Sequence, residues 1–224
     1  MKNNVFFFFL ATIFVVTAVS CKNDKQQTKT QDAQDALTAS ETAVVYLVDT
    51  NASTIEWSGR KPTKTHTGTI KIASGSFTTS LDNSIESGDF IINMKSISVT
   101  DLEPGNGKEN LEGHLMGTVS GKEGDFFDTN KYPEGIFEVT GVKIENGKTW
   151  LQGNLTLKEV TKNIEFPVNV SFEEDKMLLQ SESFTLNRTL WGINFGSKSV
   201  FDNLGDKFIS DDMEITVSIE ANKA

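Results

Sequence analysis

Groups able to do chemistry are few in this sequence and do not cluster. There is one cysteine, Cys21, and there are two histidines, His66 and His114. A zinc site needs three or four ligands, so no metal and no cofactor is expected. The adjacent acids Glu173-Glu174 and Asp211-Asp212 fall at turns. They read as solvated charge rather than as the carboxylate pair of glycoside hydrolysis. Arg188 and Arg60 are the only arginines, and a structural pairing with a carboxylate is expected for Arg188. No set of nucleophile, base and acid is visible, so the chain is not expected to be an enzyme.

Cys21 is the group with an evident chemical role. Met1-Lys2-Asn3-Asn4 is weakly basic, Val5 to Val16 is an apolar run, and Ala18-Val19-Ser20 are small residues placed directly before the cysteine. A bilayer-spanning helix takes ~20 apolar residues, so the run reads as a secretory signal over residues 1–20. Ala18-Val19-Ser20-Cys21 resembles a lipobox, which implies lipidation of Cys21. Each buried acyl methylene contributes ~0.8 kcal/mol to such an anchor. The formal net charge is −10, with 31 acidic against 21 basic residues. That balance argues against nucleic acid and against docking on anionic head groups, which leaves membrane contact to the anchor. Residues 22–42 are Gln, Asp, Lys, Thr and Ala with almost no large apolar side chain. A flexible tether over 21–43 is therefore expected. Lys22-Asn23-Asp24 resembles the charged surface-export signal of Bacteroidetes lipoproteins. The expected location is the cell envelope, on the periplasmic face or on the outer surface of the outer membrane.

Every remaining candidate is apolar, and such residues work only when elements hold them around a common space. From Val44 onward the apolar residues recur at every second position. Ile164, Phe166, Val168, Val170 and Phe172 do so, as do Met213, Ile215, Val217 and Ile219, and Phe90, Ile92 and Met94. Residues two apart share one face of a strand, and the alternate positions are polar, as in antiparallel strands with one buried face. Turns are expected at Ser74-Gly75, Asp82-Asn83 and Glu173-Glu174-Asp175, with a tight hairpin at Asn146-Gly147. Pro167, inside a strong strand pattern, implies an edge or a bulge. Leu111 and Leu115 are four apart, followed by Met116, which predicts a short helix over Lys108–Met116 and then a loop through Phe126 and Phe127. Strands around one apolar interior make a sandwich or a closed barrel of ~8 strands, and periodicity does not choose between them.

Four stretches, in order, resemble the YceI-like family. They are Tyr46-x-x-Asp49-x-x-x-Ser53-x-x-x-Trp57, then Phe126-Phe127-Asp128-Thr129-Asn130-Lys131-Tyr132-Pro133-x-x-x-Phe137, then Gly153-Asn154-Leu155-Thr156-Leu157-x-x-Val160-Thr161-Lys162, then Leu186-Asn187-Arg188-x-x-Trp191-Gly192-Ile193. The likeness runs from Val44 to Asn222. It implies an all-β, lipocalin-like antiparallel barrel over 44–222, with a long apolar interior that binds an isoprenoid quinone, a polyprenyl chain or another lipid. The residues expected to line it are Phe77, Phe90, Ile92, Met94, Phe137, Leu155, Leu157, Phe166 and Phe184. Leu111, Leu115, Met116, Phe126 and Phe127 are expected at the mouth, beneath the helix, and His114 is a candidate for a head-group hydrogen bond there. The reading leaves dimerisation open. The alternative is a solid β-domain for adhesion or protein interaction. Interior volume separates the two, because a chain without hydrogen-bonding groups needs only an apolar tube.

Overall fold

A computed structural model describes residues 28–224. The expected signal segment, Cys21 and the first residues of the expected tether lie outside the described residues. The strands are β1 (Thr30–Asp32), β2 (Val44–Val48), β3 (Thr54–Lys61), β4 (Lys64–Thr79), β5 (Ile85–Val99), β6 (Glu134–Glu145), β7 (Lys148–Leu157), β8 (Val160–Glu173), β9 (Lys176–Ser181), β10 (Phe184–Asn187) and β11 (Asp212–Lys223). One helix, α1 (Lys108–Met116), follows β5.

From β4 to β9 each strand pairs antiparallel with the next in sequence. β11 then closes the ring. It pairs with β9 over Ser218–Asn222 and with β3 over Glu214–Ser218, and β3 returns to β4. β2 shares the position of β3, between the far ends of β11 and β4. The result is an antiparallel ring of eight strand positions. The period-two pattern is the physical reason: each strand has one apolar face, and closing the sheet buries all those faces at once while removing exposed edges. No helix among the described residues is long and apolar enough to cross a membrane.

Local chemistry explains the connections. Asn146 and Gly147 both take positive φ (53° and 74°) in a two-residue link between β6 and β7, as such a turn requires. Ser74-Gly75, expected as a turn, instead lies inside β4, where the register against β5 shifts between Ile72 and Ser74. A side chain on Gly75 would collide with the ring of Phe90, so this glycine provides close approach within a strand rather than a reversal. Pro167 sits where β8 changes neighbour: β1 pairs with Lys162–Ile164, and β9 begins at Val168.

The expected flexible tether is corrected from Thr28 onward. β8 is longer than β9, so the start of β8 lacks a partner on one side. β1 fills that side, with Thr30 opposite Ile164 and Asp32 opposite Lys162, and the Thr28 N–H donates to the Thr185 carbonyl of β10 at 3.2 Å. The chain then crosses the outside of the barrel. The Asn154 side chain accepts from Gln34 N–H at 3.0 Å and donates to Gln34 O at 2.7 Å. Leu37 N–H donates to Val139 O at 2.9 Å, and Ser40 donates through N–H and Oγ to Glu86, each at 2.8 Å. Composition reports only on apolar burial. This strap is ordered by backbone and amide hydrogen bonds, which composition does not reveal. Asn154 is buried, so Asn154→Ala should cost about 1–3 kcal/mol. It should also speed amide exchange at Gln34 and Leu37 while the strands from β4 to β8 stay protected, as hydrogen-exchange mass spectrometry would measure.

Candidate functional site

The inward faces of the strands enclose a cavity of about 200 Å3. A single water needs only ~10–15 Å3, so this is space for a ligand rather than a packing fault. A belt of phenylalanines runs round its wall. Phe77 meets Phe90 edge-on at 4.7 Å, Phe90 and Phe137 are 6.2 Å apart, Phe137 and Phe166 are 5.8 Å apart, and Phe166 stacks on Phe184 at 4.4 Å. Ile92, Met94, Leu155, Leu157, Ile215 and Ile219 complete much of the lining. The end of the barrel beyond Leu179 is filled: Tyr46 packs edge-on against Phe172 at 5.7 Å, and Met177 and Ala221 are fully buried without bordering the cavity.

The other end is built differently. α1 lies over the end of β5, tied there by two side chains. The Glu112 carboxylate accepts the Val99 N–H at 2.8 Å, and Lys108 Nζ donates to Val99 O at 2.6 Å. Gly117, at φ 72°, ends the helix, and its N–H donates to His114 O. The following loop folds back under the helix, with Phe127 N–H donating to Leu115 O at 3.1 Å. Lys158 Nζ donates to Phe126 O at 2.6 Å. Burial holds this ammonium below the ordinary lysine range, and the nearby Asp128 works against that shift. Leu111, Leu115, Phe126 and Phe127 thereby reach the cavity.

Arg188 is the buried cation of the site, with only 2 % of its surface exposed. Its guanidinium donates to three backbone carbonyls, Ile193 O at 2.6 Å, Ser210 O at 3.0 Å and Ile209 O at 3.2 Å, and lies 3.7 Å from Asp211 Oδ1. Burial lowers its pKa from the usual arginine value, opposed by Asp211. The expected carboxylate pairing is therefore a minor part. The main task of Arg188 is to gather the irregular segment after β10 against the cavity wall. Trp191, fully buried, donates its Nε1–H to Leu155 O at 3.0 Å in the same region.

Of the expected lining and mouth residues, Phe77, Phe90, Ile92, Met94, Phe137, Leu155, Leu157, Phe166 and Phe184 border the cavity, and so do Leu111, Leu115, Phe126 and Phe127. Met116 is corrected: it packs against the core but does not border the cavity. It directly follows Leu115, about 100° further round the helix. His114 is not at the cavity either. Its Nε2 is 2.7 Å from Asp125 Oδ2, and its ring packs edge-on against Phe126 and Phe195. His66 borders the cavity instead, together with Trp57, Lys61 and Lys64. The signal for these was present in the sequence. Trp57 and Lys61 lie two and six residues beyond Ile55, on the same face of β3.

A model of the YceI-like domain matches residues 46–221. No curated protein matches the chain. Among solved structures, BcnA of Burkholderia cenocepacia is similar with a TM-score of 0.61 and 18% identity, covering 78% of this chain and 99% of that one. A domain from Saccharophagus degradans, described as polyisoprenoid-binding and implicated in plant cell wall breakdown, is similar with a TM-score of 0.55 and 16% identity. That match covers 80% of this chain and 98% of the other.

The Arg188 contacts make a direct test. Arg188→Lys keeps the charge but loses the planar fork, leaving one or two carbonyls without a donor. A loss of about 3 kcal/mol in denaturant unfolding is expected, with the largest gain in amide exchange between Ile193 and Ser210.

Proposed function

The chain belongs to the YceI-like family, and from that premise we propose that it carries one long apolar lipid chain, of isoprenoid or similar type, inside the barrel. The observation that supports this reading most is the cavity itself, about 200 Å3 and lined mainly by aliphatic and aromatic side chains. Apolar cavities of about 150 Å3 stay dry and take up small hydrocarbons. Burying a methylene contributes ~0.8 kcal/mol, so affinity rises with chain length until the space is full. Part of that gain is spent on ordering the chain. The reading is one of binding and not of catalysis: the lining offers dispersion and shape, and its buried cation is committed to backbone carbonyls.

The proposal includes an anchor. The apolar run Val5–Val16 and the small residues before Cys21 support export and lipidation at that thiol. An anchored carrier keeps its apolar cargo close to the membrane from which that cargo partitions.

Two experiments bear on these points. Leu155→Trp and Met94→Trp each place an indole in the cavity, and both side chains border it. Binding of a long-chain isoprenoid to the purified barrel should fall at least about tenfold, the loss of roughly two methylenes of contact, with the circular dichroism of the barrel unchanged. Undiminished binding in both variants would favour the adhesion reading. Separately, Cys21→Ala expressed in a bacterium that processes lipoproteins should remain unprocessed or become soluble. A mature-sized variant that still fractionates with membranes would remove the anchor from the proposal.

A further inference from the structure

The β3–β4 hairpin shows a chemical gradient along its inward face. Going from the interior outward, the cross-strand pairs are Ile55 with Ile70, Trp57 with Gly68, Gly59 with His66, and Lys61 with Lys64. Every one of these residues except Gly68 borders the cavity. The sequence is apolar, then indole, then open glycine beside imidazole, then a pair of ammonium groups. Like charges directly opposite each other on a sheet face are destabilising. Among the described residues, neither lysine has a carboxylate within ion-pair distance to relieve that cost. The nearby acids are engaged: Asp101 accepts from Thr67 N–H at 2.9 Å and pairs with His66 Nδ1 at 2.8 Å, and Glu214 pairs with Arg60.

Two further observations point the same way. The Trp57 indole lies across Gly68, where any side chain would collide with it, and its Nε1–H is buried without a hydrogen-bond partner. A buried donor without an acceptor is costly, and the indole that carries it borders the cavity between the apolar part and the lysines. The charge distribution is also local. The chain carries 31 acidic residues, yet none occurs between Glu56 and Asp82, a stretch holding Arg60, Lys61, Lys64 and Lys71. A hairpin tip with two lysines and no acid of its own, on a strongly acidic protein, is complementary to one kind of ligand end.

We propose that the preferred ligand ends in an anionic oxygen group, of carboxylate or phosphate type, held by Lys61 and Lys64 at the mouth while its apolar tail fills the cavity. This rests on the lipid-binding reading and adds the head-group chemistry to it. Lysine suits this position as a compact charge on a long stem, whose methylenes continue the apolar wall.

The test compares ligands with one tail and three heads, hexadecanoate, hexadecyl phosphate and hexadecanol, by tryptophan fluorescence titration of the whole barrel at low ionic strength. Both anions should bind about tenfold tighter than the alcohol. In Lys61→Gln/Lys64→Gln the ratio of anion to alcohol affinity should collapse to within about twofold, and added salt should produce the same collapse in the unmodified protein. A preference confined to one anion tells which of the two groups the mouth accepts and still supports the proposal. Equal binding of all three heads, or a preference that survives in the double variant, overturns the head-group assignment and leaves the lipid-binding reading standing. Absence of binding by all three, the alcohol included, overturns both.

Discussion

A closed antiparallel sheet must be closed along its whole height, and in this barrel no single strand does so at two of the eight positions. Between β4 and β11 the position is split between β2 and β3. Beside β8 it is split between β9, which joins β8 to β11, and β1, which covers Lys162–Ile164 of the β8 edge and reaches β10 through Thr28 and Thr185. An unpaired strand edge inside a domain leaves backbone donors and acceptors without partners. The strap is thus part of the wall rather than an appendage. Ile164, which borders the cavity, sits on the segment of β8 that β1 covers.

Closure sets the girth, and side-chain size then decides where the interior is full and where it is hollow. At the far end Tyr46 packs edge-on against Phe172, and Met177, opposite Phe172 in the ladder, is fully buried. Nearer the mouth the large rings lie along the wall instead. Glycines on neighbouring strands make this arrangement possible: Phe90 lies over Gly75, Phe137 over Gly153 and Trp57 over Gly68, each at a distance that any added side chain would violate. A ring laid flat on a glycine covers the wall without crossing the interior. Empty apolar volume costs about 24 cal/mol per Å3, so about 200 Å3 amounts to roughly 5 kcal/mol. That is a large share of the stability of a domain of this kind. A bound chain restores the missing contacts, which is why a hollow interior and an apolar ligand belong to the same physical account.

Strand positions and the phenylalanine belt were legible because period-two alternation reports directly on which face is buried. The helix over Lys108–Met116 was legible from Leu111 and Leu115. What alternation could not report were features held by polar groups. The strap has few apolar residues, so its order through Asn154, Glu86 and the β8 edge left no trace in hydropathy. Ser74-Gly75 has the composition of a turn, and only the presence of Phe90 across the ladder makes it a strand position. His114 and His66 were equivalent as isolated histidines. The hydrogen bond to Asp125 turns one away from the cavity, and the register of β4 turns the other toward it.

The rim of the barrel divides into a tied part and a less tied part, and this division bears on how a chain enters. α1 is held to Val99 by Lys108 and Glu112, the Phe126 loop by Lys158 and Leu115, and the segment after β10 by Arg188. Each of these ties ends on a backbone carbonyl or amide, so moving any of those elements exposes a buried polar group and costs free energy. The β3–β4 hairpin is tied as far as Arg60, whose carbonyl accepts the Ser210 N–H and whose side chain pairs with Glu214. Past that point Lys61 and Lys64 close a two-residue turn at Pro62 and Thr63, and a side chain built on Gly59 would meet nothing within 4 Å. Displacing this tip breaks none of the ties named above. The two lysines therefore stand on the least tied of these parts of the rim, and a charged head group, on the proposal made for it, would meet them before its tail is buried.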